Sequence, residues 1–339
     1  MKVGEIQELF TLDLHELGKR ADSINRARGD VVTFVINRHI NYTDVCVSRC
    51  PLCAFNNRKG YLMTPDEVLR EASSAVHAGA TELHIVGGHN PDVGIEYLEE
   101  IFKAVKQKFP DVVIKALTAT EVDYYSRKEK VSVREFLSRL KDAGLDAMPG
   151  GGAEILVDRV RAKISPNKSS SEEWLSVMRT AHQLGIKSNA TMLFGHIENT
   201  RDRAKHLYLL RKLQDETGGF ISFIPLVFHP ENTELQSVVK EKTSPIDILR
   251  TIAVSRIVLD NFKSVRAYWV MLGEKLAEVA LRYGANDLDG TLMAERITHA
   301  AGAKTPAGMT IEKLVEIARL AGKRAAQRDT FYRILRYYA

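Results

Sequence analysis

From Val31 onward, short runs rich in β-branched and other apolar residues alternate with longer stretches of helical period. VVTFVINR (31–38), ELHIVGG (82–88), VVIKALTA (112–119), DAMPGG (146–151), KSNATMLFG (187–195), FISFIPLVF (220–228), SVRAYWVM (264–271) and NDLDGTL (286–292) read as strands. Between them, TPDEVLREASSAVHAG, IEYLEEIFKAVKQKF, VREFLSRLKDAG, SEEWLSVMRTAHQLG and DRAKHLYLLRKLQDETGG read as helices. The first opens with Thr64 as N-cap, Pro65 at the first helical position and Glu67 to complete a capping box. HAGA, DAGL, QLGI and TGGF each put a glycine at the left-handed position that ends a helix, just before the next strand.

Alternation repeated this often implies an α/β fold with a parallel sheet and right-handed crossovers. Eight strand candidates favour a TIM-type (β/α)8 barrel. The last two have the weakest pattern, so an open (β/α)6 barrel with a C-terminal helical extension is the alternative. No low-complexity linker divides the chain. The pattern predicts a helical extension over 1–30 and one domain over 31–339, a barrel core with C-terminal helices. YWVM and the Met and Phe positions inside strands read as barrel core, with Trp269 a candidate for the cavity wall.

Composition narrows the function classes. Lys plus Arg is 48 against 43 Asp plus Glu, a net charge of +5. That mild excess suits an anionic small molecule and does not demand nucleic acid. SRKEK (126–130) is mixed in sign and reads as a solvated loop. No apolar run reaches the ~18 residues of a membrane span. The N-terminus is amphipathic and carries acids, unlike a secretory signal or transit peptide. Three cysteines are odd in number and too tightly spaced for a disulfide framework, which points to a reducing cytoplasm.

Those cysteines, Cys46, Cys50 and Cys53, lie in NYTDVCVSRCPLCAF (41–55), directly after the first predicted strand. In a barrel of this type that loop is on the active-site face. Thiolates so close together can share one metal centre. A structural zinc site wants four ligands, and His39 or His89 could supply the fourth; a zinc-stabilised binding module is therefore one reading. A four-iron cluster is the other, with three irons on thiolates and the last left open to bind a ligand.

With its Cys-x3-Cys-x2-Cys spacing, its place after strand one, and Phe55 two residues beyond the last cysteine, this loop resembles that of the radical S-adenosylmethionine (SAM) superfamily. The resemblance covers about residues 30 to 330. It implies a [4Fe–4S] cluster on Cys46, Cys50 and Cys53. It also implies SAM as a co-substrate chelated by the open iron, and a low-potential electron donor such as flavodoxin or ferredoxin. Gly87 and Gly88 in HIVGGHNP match the superfamily's Gly-Gly pair beside the SAM amino group.

The NYT-x-x-C opening narrows the resemblance to a subgroup that holds the futalosine-route and deazaflavin-forming enzymes. KALTATEV (115–122), MPGGGAEIL (148–156), KSNATMLFGHIE (187–198), LQDETGGFISFIPLVFHPENTEL (213–235), in which VFHPENT (227–233) sets this chain apart from the relatives, and ITHAAGA (297–303) are similar to the aminofutalosine synthase family. Leu52 stands where Phe or Tyr is common. The resemblance implies menaquinone biosynthesis, with addition of a 5′-deoxyadenosyl radical to the double bond of 3-[(1-carboxyvinyl)oxy]benzoate. The dehypoxanthine futalosine cyclase and deazaflavin synthase relatives are the alternatives.

Glu154, at a glycine-rich strand end, is a candidate for the SAM ribose hydroxyls; N-capping or a salt bridge to Arg159 or Arg161 is its competing role. Two substrate carboxylates call for cations, and Lys115, Arg38 and Arg266 are the candidates. His196, His229 and Glu121 are candidate catalytic residues, the histidines at strand ends and Glu121 with helix capping as its alternative. Asn41 and Thr43 are expected to shape the cluster loop.

Overall fold

The computed structural model describes residues 1–54, 60–291, 297–302 and 304–338. Among the described residues eleven strands form, β1 (Val31–Val35), β2 (Asn37–Asn41), β3 (Glu82–Val86), β4 (Val113–Ala116), β5 (Ala147–Met148), β6 (Lys187–Phe194), β7 (Phe220–Val227), β8 (Ser264–Val265), β9 (Asp287–Gly290), β10 (Arg324–Arg328) and β11 (Ile334–Tyr338). β2 to β8 form a seven-stranded parallel sheet in chain order. A second sheet runs β11-β10-β1-β9.

The two sheets join into one circuit. β1 runs into β2 across Ile36, and β9 pairs in parallel with β1. A parallel bridge from Arg266 to Asp287 links the end of β8 to β9. Thr291 then locks to Asn37 through its hydroxyl, which accepts from the Asn37 N–H at 3.2 Å and donates to the Asn37 carbonyl at 3.2 Å. Read with β1 and β2 as one strand, the barrel has eight staves, as the alternation predicts.

Local signals place the surrounding helices. Pro65–His77 carries the expected Thr64–Glu67 capping box. Gly79, Gly144, Gly185 and Gly218 all take positive φ where their helices end. Two N-terminal helices, Val3–Leu9 and Leu14–Arg26, bury Ile6, Leu9, Leu17 and Ala21. Among the described residues no helix is long and apolar enough to cross a membrane.

Four expectations need correction. SVRAYWVM is strand only at Ser264–Val265, and a helix begins at Trp269. Trp269 is buried with its indole N–H on the Gly290 carbonyl at 2.9 Å, and is not part of the cavity wall described below. The expected C-terminal helices are followed by strand: after helix Ile311–Leu320, residues 324–338 form the antiparallel β10–β11 pair, because Ala325 and Ala326 are small enough to lie buried beside β1. SRKEK is the last turn of helix Ala119–Glu129 plus Lys130 in a left-handed cap.

Candidate active site

Side chains from the loop after β2 and from the strand ends enclose one cavity of about 330 Å³. Cys46, Cys50 and Cys53 all line it, and none is in a disulfide. The residues just before them shape the loop. Thr43 Oγ1 donates to the Tyr61 carbonyl at 2.6 Å and accepts from Asn90 Nδ2 at 2.9 Å. Asn41 lines the cavity, and its carbonyl accepts from the Tyr61 hydroxyl at 2.8 Å. Asn167 Nδ2 donates to the Ser48 carbonyl at 3.1 Å. Phe55 lies outside the described residues.

The glycine pair docks this loop. A Cβ at Gly88 would lie 2.2 Å from the Val45 carbonyl oxygen and 2.7 Å from Cys46 Cβ, so only glycine lets the end of β3 approach so closely. The Gly87 N–H donates to Glu121 Oε1 at 2.9 Å, and the Gly88 carbonyl accepts from the Tyr125 hydroxyl at 2.9 Å. Both glycines face the cavity.

The donor set fits an iron–sulfur cluster. Cys46 Sγ accepts the His89 N–H at 3.4 Å, a contact of the kind that tunes cluster thiolates. Burial pushes the Cys50 thiol up to about 11, with Lys168 acting the other way, so this sulfur becomes a thiolate by gaining metal. Among the described residues no three His, Cys, Asp or Glu side chains converge on a single-ion site. A four-iron cube spaces its thiolates more widely than one ion does. Both histidines proposed as a fourth zinc ligand have ring partners of their own. His89 bonds Ser48 Oγ through Nδ1 at 2.7 Å and stacks on Tyr124, while the His39 ring packs tilted against His84.

Glu154 lines the cavity at φ 43°, and its partner is neither expected arginine but Lys168, at 3.0 Å. Burial raises the Glu154 carboxyl, yet Lys168, with Arg161 and His196 acting the same way, holds the group below its usual range. Burial also works against the charge of Lys168, but Glu154 and the sulfurs of Cys50 and Cys53 more than restore it. Lys168 sits in a polar NKSSS stretch that gives no strand or helix phase, so pattern reading had no signal for it.

The other candidates divide. Lys115 and Arg266 line the cavity but are already paired: Lys115 with Glu82, Arg266 with Asp289 at 2.8 Å and Asp287 at 3.5 Å. Burial raises the Glu82 carboxyl, but Lys115, Arg266 and Arg328 together hold it at about 2. Arg38 is on the opposite face of β2 from His39 and pairs with Glu71 outside the barrel, because successive strand residues alternate sides. It is not a cavity residue.

His196 is likewise outside the cavity wall. Gly195, at φ +87°, turns the chain so that the His196 ring folds back, Nε2 reaching the Leu193 carbonyl at 3.1 Å and Nδ1 reaching Glu198 at 2.9 Å. Glu121 lines the cavity, but its carboxylate is saturated. Oε1 accepts from Tyr42 at 3.0 Å and Gly87; Oε2 accepts from the Thr118 N–H at 2.7 Å and hydroxyl at 2.8 Å. It is a buckle joining three strand ends, the capping alternative enlarged. His229 does line the cavity, with its Nε2 buried and without a partner among the described residues. Asn189 and Asn41 likewise present buried Oδ1 atoms without partners.

The Radical SAM superfamily is matched over residues 40–210, and the CofH/MqnC C-terminal region over 217–338. The chain is 44% identical to aminodeoxyfutalosine synthase of Thermus thermophilus, covering 97% of this chain and 90% of that one. It is 40% identical to cyclic dehypoxanthine futalosine synthase of Streptomyces coelicolor, covering 94% and 81%. It is 44% identical to 5-amino-6-(D-ribitylamino)uracil–L-tyrosine 4-hydroxyphenyl transferase of Archaeoglobus fulgidus, covering 95% and 94%. Methylornithine synthase shares the fold, with a TM-score of 0.76 at 17% identity over 96% of this chain and 94% of that one.

Proposed function

The chain belongs to the radical SAM superfamily, and from that premise we propose that it is an aminodeoxyfutalosine synthase of menaquinone biosynthesis. It is a C–C bond-forming enzyme that uses a [4Fe–4S] cluster and SAM. When bound, the cluster and SAM supply a 5′-deoxyadenosyl radical. In the proposed reaction this radical adds to the double bond of 3-[(1-carboxyvinyl)oxy]benzoate. The aryl group then migrates from oxygen to carbon. The carboxylate leaves as CO2, returning the electron used to cleave SAM, and methionine is the co-product.

Identity alone does not choose this reaction, since relatives with different activities are equally similar. One observation carries the choice: the two segments most like the synthase family both form the cavity wall. KALTATEV contributes Lys115, Thr118, Thr120 and Glu121, and VFHPENT contributes Val227, Phe228 and His229. Apolar Leu193, Ile224, Leu226 and Met271 above a polar floor suit an aromatic ring that carries carboxylates.

In this reading Cys46, Cys50 and Cys53 hold the cluster, and Gly87 and Gly88 leave room beside it. Glu154 meets the SAM ribose, with Lys168 fixing its carboxylate. His229 Nε2 is the free donor or acceptor for substrate. Water-excluding walls protect the radical until the alkene lies within near-attack distance, about 3–3.5 Å. A soluble low-potential protein is the proposed electron donor, and the cytoplasm the proposed compartment.

Anaerobic incubation with reductant, SAM and the enolpyruvyl benzoate is expected to give an adenine-containing adduct and methionine in equal amounts. Accumulation of 5′-deoxyadenosine alone would refute the assignment. Turnover of dehypoxanthine futalosine, or of tyrosine with 5-amino-6-(D-ribitylamino)uracil, would replace it with one of the alternatives.

A further inference from the structure

Deeper than the cysteines and glycines, one row of side chains crosses three adjacent strands. His39 of β2, His84 of β3 and Lys115 of β4 are register partners, and all three line the cavity. The two imidazoles lie 4.3 Å apart between ring centroids, tilted by 38°.

Charge at this level is balanced before any ligand arrives. Lys115 pairs with Glu82, Arg266 with Asp289, and Arg328 with Asp287. A carboxylate entering here is an added buried charge, and an uncompensated one is strongly disfavoured. The floor can respond by breaking an existing ion pair or by gaining a proton. Asp287 is held by Arg328, by Arg266 and by the Thr33 hydroxyl at 2.5 Å, which resists the first course. Imidazole is the side chain suited to the second near neutral pH.

The groups facing His84 set the sign. Burial holds its pKa well below the ordinary value, and His39, Lys115 and Arg266 all push the same way. The nearby carboxylates Glu82 and Asp289 act chiefly on the cations they pair with. A ligand carboxylate beside the rings reverses this balance and favours the imidazolium.

We propose that His39 and His84 form the receiving site for a carboxylate of the substrate, and that the pair takes up one proton as that carboxylate binds. The proposal rests on the reading above that the substrate carries carboxylates. Burial keeps the His84 pKa low in the free protein, and on this proposal the bound carboxylate raises it. Uptake therefore occurs between those two values, and affinity falls as pH rises through the higher one.

The test is calorimetric titration of the cluster-loaded protein with SAM and 3-[(1-carboxyvinyl)oxy]benzoate, without reductant, in two buffers of different ionisation enthalpy. About one proton is expected to be taken up at about pH 7. His84→Gln, which can hydrogen-bond but not titrate there, is expected to abolish uptake and flatten the pH dependence of Kd. Its affinity at neutral pH should drop about ten-fold, the equivalent of one pKa unit. His39→Gln should also reduce uptake, and it serves if His84→Gln does not fold. Wild-type binding without proton uptake would overturn this proposal and leave the substrate reading standing. Failure of the wild type to bind the compound would overturn both. Uptake that survives in both floor variants but disappears in His229→Gln would move the proton to the cavity mouth and overturn the assignment.

Discussion

Cys50→Ala is expected to abolish reductive cleavage of SAM, lowering both methionine and adenine-containing products to the no-enzyme background. Cys50 is the most buried of the three thiols and lies between the other two in sequence. Its loss leaves two thiolates for a cluster that needs three to keep one iron open. Alanine at this loop position removes no ion pair and one weak sulfur contact, Cys50 Sγ to the Ser48 carbonyl at 4.0 Å, so the fold should persist. Iron and sulfide analysis of the anaerobically reconstituted variant checks the cause. An intact cluster with retained SAM cleavage would mean that the ligand set is wrong.

The largest stability effect is expected from Arg328→Ala. Arg328 is fully buried and grips Asp287 with two hydrogen bonds, Nε to Oδ2 at 2.5 Å and Nη2 to Oδ1 at 3.0 Å. Its removal takes the closest cation from a carboxylate that is itself fully buried and leaves it only Arg266 at 3.5 Å and the Thr33 hydroxyl, a break expected to cost up to about 3–5 kcal/mol. Burial alone would raise the Asp287 carboxyl; Arg328 and Arg266 hold it down. A depressed carboxyl contributes stability above its unfolded pKa and loses it as pH falls through the folded value. The deficit of the variant should therefore be full near neutral pH and shrink toward about pH 4, where a raised Asp287 can protonate. Urea midpoints at both pH values measure this. Pairing the change with Asp287→Asn should recover part of the loss, and a pH-independent deficit would contradict the charge argument.

The same Arg328–Asp287 pair marks what the sequence could and could not reveal. Helix Pro65–His77 was legible because its signals are local: cap, proline and capping glutamate lie within four residues. The cysteine loop was legible because its ligands are close in the chain. β10 was not, because RAAQR has no strand pattern of its own and becomes a strand only by packing its alanines beside β1, almost three hundred residues away. The cation candidates show the limit of strand reasoning. Arg38, Lys115 and Arg266 were all candidates, with Lys115 favoured for its place in KALTATEV, and only the phase of each strand sends Arg38 outward and the others inward.

Once inward, Lys115 and Arg266 proved to be committed to carboxylates from other strands, which no single segment discloses. Among the histidines, His229 could be placed on the cavity from its strand-end position. His196, at an equivalent position, is turned away by Gly195 and Glu198. Lys168 lay in a loop without periodicity, and its importance rests on its contact with Glu154 and its closeness to two of the cysteines.

The central claim is that the radical adds to the substrate and is not spent on hydrogen abstraction. Mass analysis of the products formed from SAM deuterated at both C5′ positions tests it most directly. The account predicts that both deuterium atoms are retained in an adduct joining adenosine carbon to the aryl-bearing fragment, with methionine released in equal amount. Recovery of the label in 5′-deoxyadenosine, carrying a hydrogen taken from the substrate, would contradict it.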